Sequence, residues 1–247
     1  MEGRVGPIAV IGALEEEIDL VNAALCDRRT EWAGEYRFDF GTIAGADVVV
    51  AHSFMGMANS AAATALAVAR FGAGAVLSIG TAGAHNPALH TGDIVLGSRT
   101  VNDNSHMTAH RDRGSGSDVG AWEVMGNEVG VCGSPELRTE FFCDAGMLAA
   151  AQAVPYGGGR LVVGTVASGD VWNKEIDRID ALHRGRGSDC EDMETFSVAQ
   201  TCWQLGRVPW LGVRIVSNSE HFPDEVFDVS VAQKCQAFAL DVIAALA

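Results

Sequence analysis

The sequence is short of positive charge. It carries 17 Lys and Arg against 32 Asp and Glu, which gives a formal net charge of −15 at pH 7. Nucleic acids and anionic membranes are bound through basic faces that release counterions, and a chain this acidic offers no such face. We therefore expect no nucleic acid and no membrane among its partners, whereas the charge does not exclude a small nucleotide-like ligand.

Targeting and redox features are also missing. No apolar run reaches the roughly 18 residues of a membrane span. The opening residues M-E-G-R-V-G-P hold no apolar segment typical of a signal peptide. The 6 cysteines form no C-x-x-C pair and no zinc-ligand spacing. These absences predict a cytoplasmic protein with reduced core thiols, although spacing alone does not exclude a disulfide.

What is present is a regular alternation of short apolar runs and longer segments with helical periodicity. In 247 residues that are 48% hydrophobic, this alternation favours an α/β fold with helices on the faces of a mostly parallel or mixed sheet. The predicted strands are Pro7–Gly12, Tyr36–Ile43, Asp47–His52, Ala75–Ile79, Thr91–Leu96, Leu161–Val166 and Val208–Val216. The predicted helices are 14–25, Ala58–Arg70, Pro135–Ala153 and Gln233–Leu246.

Polar or small residues follow several of these strands. They are Glu15–Glu17, the small-residue loop 80–83, the polar turn 167–170 and the S-N-S-E tip 217–220. Because α/β proteins of this type bind ligands at the carboxyl ends of strands, we expect a ligand site there. The polar segment 102–120 is predicted to be a loop that is either functional or mobile.

The segment 188–220 concentrates the chemical candidates. Glu191, Asp192 and Glu194 surround Met193, and the later β-rich run ends in polar residues from 214 to 220. The acidic cluster has two interpretations that spacing does not separate. It is either part of a ligand site or a solvated helix start, where the helix dipole favours acids.

Six stretches stand out along the chain: I-G-A-L-E-E-E-I at 11–18, G-T-A-G at 80–83, T-G-D-I-V at 91–95, S-G-D-V-W at 168–172, D-M-E-T at 192–195 and V-R-I-V-S-N at 213–218. Taken together they resemble the nucleoside phosphorylase/nucleosidase superfamily, and most of all its 5′-methylthioadenosine/S-adenosylhomocysteine nucleosidases. They lie in the family's order and span about residues 7–245. Each is weak alone, but six in order are specific.

The resemblance implies a fold and a reaction. The fold is a single-domain, three-layer α/β/α arrangement of residues 1–247 around a mixed, barrel-like sheet. The reaction is hydrolysis of the ribosyl N-glycosidic bond of a 5′-modified purine nucleoside, without metal or organic cofactor. The family also implies a homodimer in which the partner subunit completes the site.

The resemblance further implies roles for individual residues. Glu17 matches the acid that holds and deprotonates the attacking water, with Thr81 and Arg214 beside it. Met193 and Glu194 match the ribose-binding pair. The remaining substrate-binding candidates are Trp172, which stacks on the purine, the preceding Ser168, Gly169 and Asp170, and His110, which falls where the family places an aromatic near the 5′ substituent across the dimer interface.

Asn218 departs from the family pattern. The nucleosidases have Asp after this Ser, and that Asp is the general acid to the purine, whereas Asn donates a hydrogen bond but transfers no proton. Three explanations stay open. The base is a 6-oxopurine, as in the related futalosine hydrolases; the proton comes from Glu220 or His221; or the protein binds nucleosides without cleaving them, as related plant bark storage proteins are thought to do.

Phosphorolysis is the other chemical alternative. Phosphorylases of the superfamily carry a G-D-P-x-R-like first loop and an Arg just ahead of the G-S/T-x-G loop, both for phosphate. Here the first loop is 12–15, G-A-L-E, and Ser78 and Ile79 precede Gly80. A phosphate dianion beside Glu17 would also be repelled. The sequence therefore favours water as the nucleophile, with purine nucleoside phosphorylase as the alternative.

Overall fold

A computed structural model of the chain describes residues 6–247. The strands are β1 Ile8–Gly12, β2 Cys26–Ala33, β3 Tyr36–Ile43, β4 Ala46–His52, β5 Ala75–Ala84, β6 Ile94–Asn102, β7 His106–Met107, β8 Glu123–Val124, β9 Asn127–Val131, β10 Ser134–Arg138, β11 Glu140–Phe142, β12 Leu161–Ser168, β13 Cys190–Asp192 and β14 Trp210–Asn218. The α-helices are α1 Asp19–Ala24, α2 Met57–Ala69, α3 Ala145–Ala153, α4 Ile176–Arg186, α5 Thr195–Gln204 and α6 Ala232–Leu246. Short 3-10 turns cover Glu15–Glu17, Val119–Ala121 and Val229–Val231.

Ten of the strands form one mixed sheet, in the order β11-β6-β12-β13-β5-β1-β4-β3-β2, with β14 paired to both β5 and β6. Because β14 bridges those two strands, β5, β14, β6, β12 and β13 close into a five-stranded barrel. The neighbours β5 and β14 run parallel, whereas β14 and β6 run antiparallel. The barrel-like mixed sheet expected from the resemblance is confirmed.

Helices cover both faces of the sheet. Successive residues of β1 face opposite sides, and all five are buried, as predicted for a central parallel strand. Val10 belongs to the core under α3 and α6, whereas Ile11 belongs to the core under α2 and α5. The three-layer α/β/α class is therefore also confirmed.

The prediction of one helix over Pro135–Ala153 is wrong in its first half. Residues 134–138 pair antiparallel with β9, across a turn in which Cys132 and Gly133 have φ values of 51° and 82°. β11 then pairs with β6, and Phe141 enters the core. The helix begins only after Asp144, whose carboxylate caps it by accepting from the Met147 N–H at 2.8 Å.

Other predicted boundaries also shift. The run 80–83 is not a loop, because β5 continues through it and pairs with both β14 and β13. The helix predicted over 14–25 is a 3-10 turn followed by α1. The loop predicted over 102–120 contains the short strand β7, which pairs with β8. The strand β2 was missed altogether.

Val229–Leu246 has the length and mean hydropathy of a membrane span, although Lys234 and Asp241 interrupt its apolar residues. One face of this segment, including Phe238 and Val242, is buried in the core. The burial of this face shows that the segment packs as a core helix.

Candidate active site

A cleft opens where the carboxyl ends of β5 and β14 meet β13 and the turn after β1, and its space is about 580 Å³ when the open mouth is included. Of the residues predicted for the site, it is lined by Glu17, Thr81, Trp172, Met193, Glu194 and Asn218. No Lys or Arg is among the described residues that line it. The cleft therefore lies at the strand ends where the sequence placed a ligand.

Glu17 is fixed at one side of this cleft by four hydrogen bonds. One carboxylate oxygen, Oε2, accepts from the backbone N–H groups of Ala13 and Leu14 at 3.2 and 3.1 Å. The other, Oε1, accepts from the Thr81 backbone N–H at 2.7 Å and from its hydroxyl at 2.9 Å. The side chain is 4% exposed and keeps its contact with the cleft. Such a carboxylate is positioned to accept a proton from a bound water.

Arg214 lies behind the carboxylates rather than in the cleft. Its Nε is 2.7 Å from Asp192 Oδ2, and its Nη2 donates to Ser78 Oγ at 2.7 Å. Its Nη1 is 3.9 Å from Glu194 Oε2. Burial lowers the pKa of Arg214, but the surrounding carboxylates outweigh burial and raise it above its ordinary value. A Cβ on Gly80 would meet both Arg214 Nη1 and Glu17 Oε1, so Arg214 also lies next to Glu17. Its contacts hold the acidic residues in place, and its role beside the attacking water stays a prediction.

Glu194 faces the cleft from the start of α5. Its Oε1 accepts from the Gly56 N–H at 3.1 Å, which ties it to the residue before α2. Burial, followed by repulsion from Asp192, raises the pKa of Glu194 to about 8, although Arg214 acts in the opposite direction. The raised pKa favours the protonated form of this carboxyl group at neutral pH.

Trp172 forms an apolar wall with Phe227, whose ring lies 5.1 Å from it at 69°. Both line the cleft, and Trp172 is 49% exposed, so its face is available for stacking on a flat base. Phe227 was not predicted from the sequence. It comes from the irregular segment after β14, where no periodicity marks it.

The three residues predicted before Trp172 are not among the residues that line the cleft. Ser168 is buried and donates to Asp192 Oδ1 at 2.5 Å. The Gly169 N–H donates to the Asp192 carbonyl at 3.1 Å. Asp170 accepts from the Met57 N–H at 2.8 Å and so caps α2. They contact residues of the site, and no face of them borders the cleft.

His110 is not brought to the cleft of its own chain. Its side chain is 92% exposed on the segment between β7 and β8. Its predicted role at a partner subunit's site stays a prediction.

Asn218 lies at the opposite end of the cleft from the turn after β1, together with Glu191, which the sequence analysis left without a role. Asn218 Oδ1 accepts from Ser217 Oγ at 3.0 Å. Glu191 accepts from the Asn173 backbone N–H at 2.8 Å. Neither Glu220 nor His221 lines the cleft, and His221 instead contacts the His85 carbonyl at 3.1 Å. The proposal that one of them supplies a proton is therefore not supported by their placement.

The fold and this cleft define a class of protein. A family model described as the phosphorylase superfamily matches residues 7–247, and the chain belongs to that superfamily. A 5′-methylthioadenosine/S-adenosylhomocysteine nucleosidase of Bacillus licheniformis is 31% identical over 215 residues, which are 85% of each chain.

Solved structures agree on the fold. The nucleosidase of that name from Neisseria meningitidis, in complex with methylthio-immucillin-A, has a TM-score of 0.79 and 26% identity, covering 97% of this chain and 99% of its own. The futalosine hydrolase of Helicobacter pylori has a TM-score of 0.76 and 22% identity, covering 97% of both chains. At that identity the second likeness supports the fold and not a substrate.

Proposed function

We propose that this protein hydrolyses the ribosyl N-glycosidic bond of a 5′-modified purine nucleoside of the methylthioadenosine/S-adenosylhomocysteine type. The observation that carries the proposal is Glu17, held by four donors at the cleft. A carboxylate fixed in this way is oriented to take a proton from water. The named relatives, 31% and 26% identical, support the same activity.

Cleavage of the bond builds positive charge on the sugar, as in glycoside hydrolysis. In the proposed reaction the C1′–N9 bond breaks and its electron pair goes to the purine. Water attacks C1′ and passes a proton to Glu17. Glu194, once ionised, accepts from the ribose hydroxyls and stabilises the sugar cation. Met193 packs beside the ribose, and Trp172 stacks on the base.

Water, rather than phosphate, is the proposed nucleophile. No cationic side chain lines the described cleft, and the buried Arg214 is engaged by Asp192. A phosphate dianion would meet Glu17 without a compensating charge. This favours hydrolysis over the phosphorylase alternative.

The presence of Asn at position 218 does not indicate an inactive protein. The carboxylates that would activate water and stabilise the sugar are both present and oriented. An amide at the purine stabilises the leaving base by a hydrogen bond, so the expected consequence is slower cleavage, not its loss.

We also infer a cytoplasmic homodimer formed from single-domain subunits. One sheet containing both β1 and β14 supports the single domain. The exposed apolar side chains of Met55, Trp172 and Phe227, which line the cleft, support a partner that covers this part of the surface. Sedimentation at assay concentrations tests this, and a fully active monomer would rule out a shared site.

The function is tested by incubating the protein with 5′-methylthioadenosine, S-adenosylhomocysteine, adenosine, inosine and futalosine, with and without phosphate. Free base and free ribosyl product in phosphate-free buffer are expected. Ribose 1-phosphate products formed only in the presence of phosphate would show a phosphorylase instead. Binding without any cleavage would support the storage or binding alternative.

A further inference from the structure

Glu191 is a buried carboxyl group in the cleft that the proposed reaction does not use. Its side chain is 9% exposed and lines the cleft. Oε1 accepts from the Asn173 N–H at 2.8 Å, and Oε2 contacts both the Asn173 amide nitrogen and His85 Nε2, the latter at 3.0 Å. His85 is itself held by Ser188 Oγ, 2.8 Å from its Nδ1. These contacts fix Glu191 as a hydrogen-bond acceptor.

Glu191 shares one patch of the cleft with Asn218. A Cβ placed on Gly83 would lie 3.7 Å from Glu191 Oε1 and 3.5 Å from Asn218 Nδ2, so these two atoms are at most about 7 Å apart. Among the described residues no hydrogen bond joins the two side chains. Because Asn218 Oδ1 is engaged by Ser217, the amide presents its NH₂ group. The patch therefore offers one donor beside one acceptor, and Gly83 leaves the space between them open.

This pattern is complementary to one kind of purine. A 6-aminopurine presents adjacent N7 and N6–H₂, an acceptor beside a donor, whereas a 6-oxopurine presents two acceptors there, N7 and O6. With Asn218 on N7, the oxygen of a 6-oxopurine would face the Glu191 carboxylate. The N1–H of the oxopurine lies beyond O6, on the far side from N7.

We propose that Glu191 selects the base: it accepts a hydrogen bond from the exocyclic amine of a 6-aminopurine while Asn218 donates to N7. This inference rests on the proposed function. The proposal explains how a protein with Asn218 can still act on a 6-aminopurine. The donor to N7 and the acceptor from the exocyclic amine are two different residues. Its position on β13 and its contacts with Asn173 and His85 hold Glu191 in that orientation.

The test measures kcat/KM for 5′-methylthioadenosine and 5′-methylthioinosine in wild type and Glu191→Gln. Wild type is expected to prefer the aminopurine. Glutamine also offers an NH₂ group, which suits O6, so the amino-to-oxo ratio is expected to fall by about 10- to 100-fold. Ser188→Ala is the control, because it disturbs His85 while keeping the carboxylate. A general disturbance of the site lowers kcat/KM for both substrates alike and leaves their ratio unchanged.

An unchanged ratio in folded Glu191→Gln, with hydrolysis retained, would overturn the inference and leave the proposed function standing. Calorimetry on wild type gives a second measurement that needs no variant. Adenine is expected to bind about tenfold or more tightly than hypoxanthine or unsubstituted purine. Equal or weaker binding of adenine overturns the inference. If neither nucleoside is hydrolysed, the proposed function fails, and the binding comparison alone decides base selection.

Discussion

Arg214 and Asp192 form an ion pair in which the guanidinium Nε lies 2.7 Å from Oδ2 and both side chains are 1% exposed. The pair joins the last strand of the barrel, β14, to the end of β13. Arg214 Nη1 also lies 3.9 Å from Glu194 Oε2, so the acidic wall of the cleft depends on a cation that does not itself line the cleft.

Replacing Arg214 by Met is expected to lower the free energy of unfolding by about 3–5 kcal/mol, because it leaves a buried carboxylate without its partner. Denaturant unfolding measures this loss. In Arg214→Met/Asp192→Asn neither charge is left alone, so its loss should be smaller than the sum of the two single losses. Additive losses would show that the two charges are independently satisfied.

Glu17→Gln is expected to lower kcat by roughly 10²- to 10⁴-fold, since the amide cannot take the proton from water. The exchange is also expected to lower the stability of the fold. Both oxygens of Glu17 accept backbone N–H groups, so the new NH₂ must face at least one donor, at a cost of about 1–3 kcal/mol. Single-turnover rates and unfolding curves separate the two effects. A variant with unchanged kcat would remove Glu17 from the mechanism.

The raised pKa of Glu194 predicts opposite pH trends for activity and stability. Activity should rise with pH toward about 8, since the ionised form binds the ribose hydroxyls, and kcat/KM reports the free enzyme. Over the same range stability should fall. The unfolded chain releases this proton near the ordinary value of 4.5, whereas the folded chain keeps it to about 8, so rising pH favours unfolding.

Glu194→Gln is the matched variant for this prediction. It removes the titrating group, so both the rise in kcat/KM and the matching part of the stability slope should disappear. Profiles that keep their shape in the variant would assign them to another residue.

Asn218→Asp is expected to raise kcat on 5′-methylthioadenosine by about tenfold or more, because it installs a proton donor at the purine. The nearby Glu191 carboxylate favours the protonated form of the new Asp, since a like charge raises the pKa of a carboxyl group. The variant should keep its preference for the aminopurine. A lower kcat, with intact folding, would show that Asn218 has a different partner on the base.

Much of this architecture was predictable from the sequence. Local patterns sufficed where both faces of a strand are buried, as in Pro7–Gly12. They also sufficed where a short break separates two adjacent strands, as between Tyr36–Ile43 and Asp47–His52. They failed at 135–142, where helix-compatible residues are held in β10 and β11 by strand partners. Tertiary pairing overrides propensity there, and no local pattern reveals it.

The site was predictable to a similar extent. Matched motifs identified Glu17, Thr81, Met193, Glu194 and Asn218 as residues that line the cleft. They did not separate lining residues from supporting ones, and Ser168 and Arg214 proved to be buried supports. Glu191 adjoins a matched motif, but its relation to Asn218 arises across Gly83 on a different strand. Only the folded sheet brings these three together.

The contacts of Gln236 make one side of the cleft depend on α6. From the middle of α6 its amide donates to the Glu16 carbonyl at 2.8 Å and accepts from the Leu20 N–H at 2.7 Å. The turn that carries Glu17 is thus clamped by residues more than 200 positions later in the chain. The orientation of the Glu17 carboxylate therefore depends on the docking of α6, although α6 does not itself border the cleft. Local unfolding of α6 is expected to release this turn and to disorder one side of the cleft while the barrel strands stay paired.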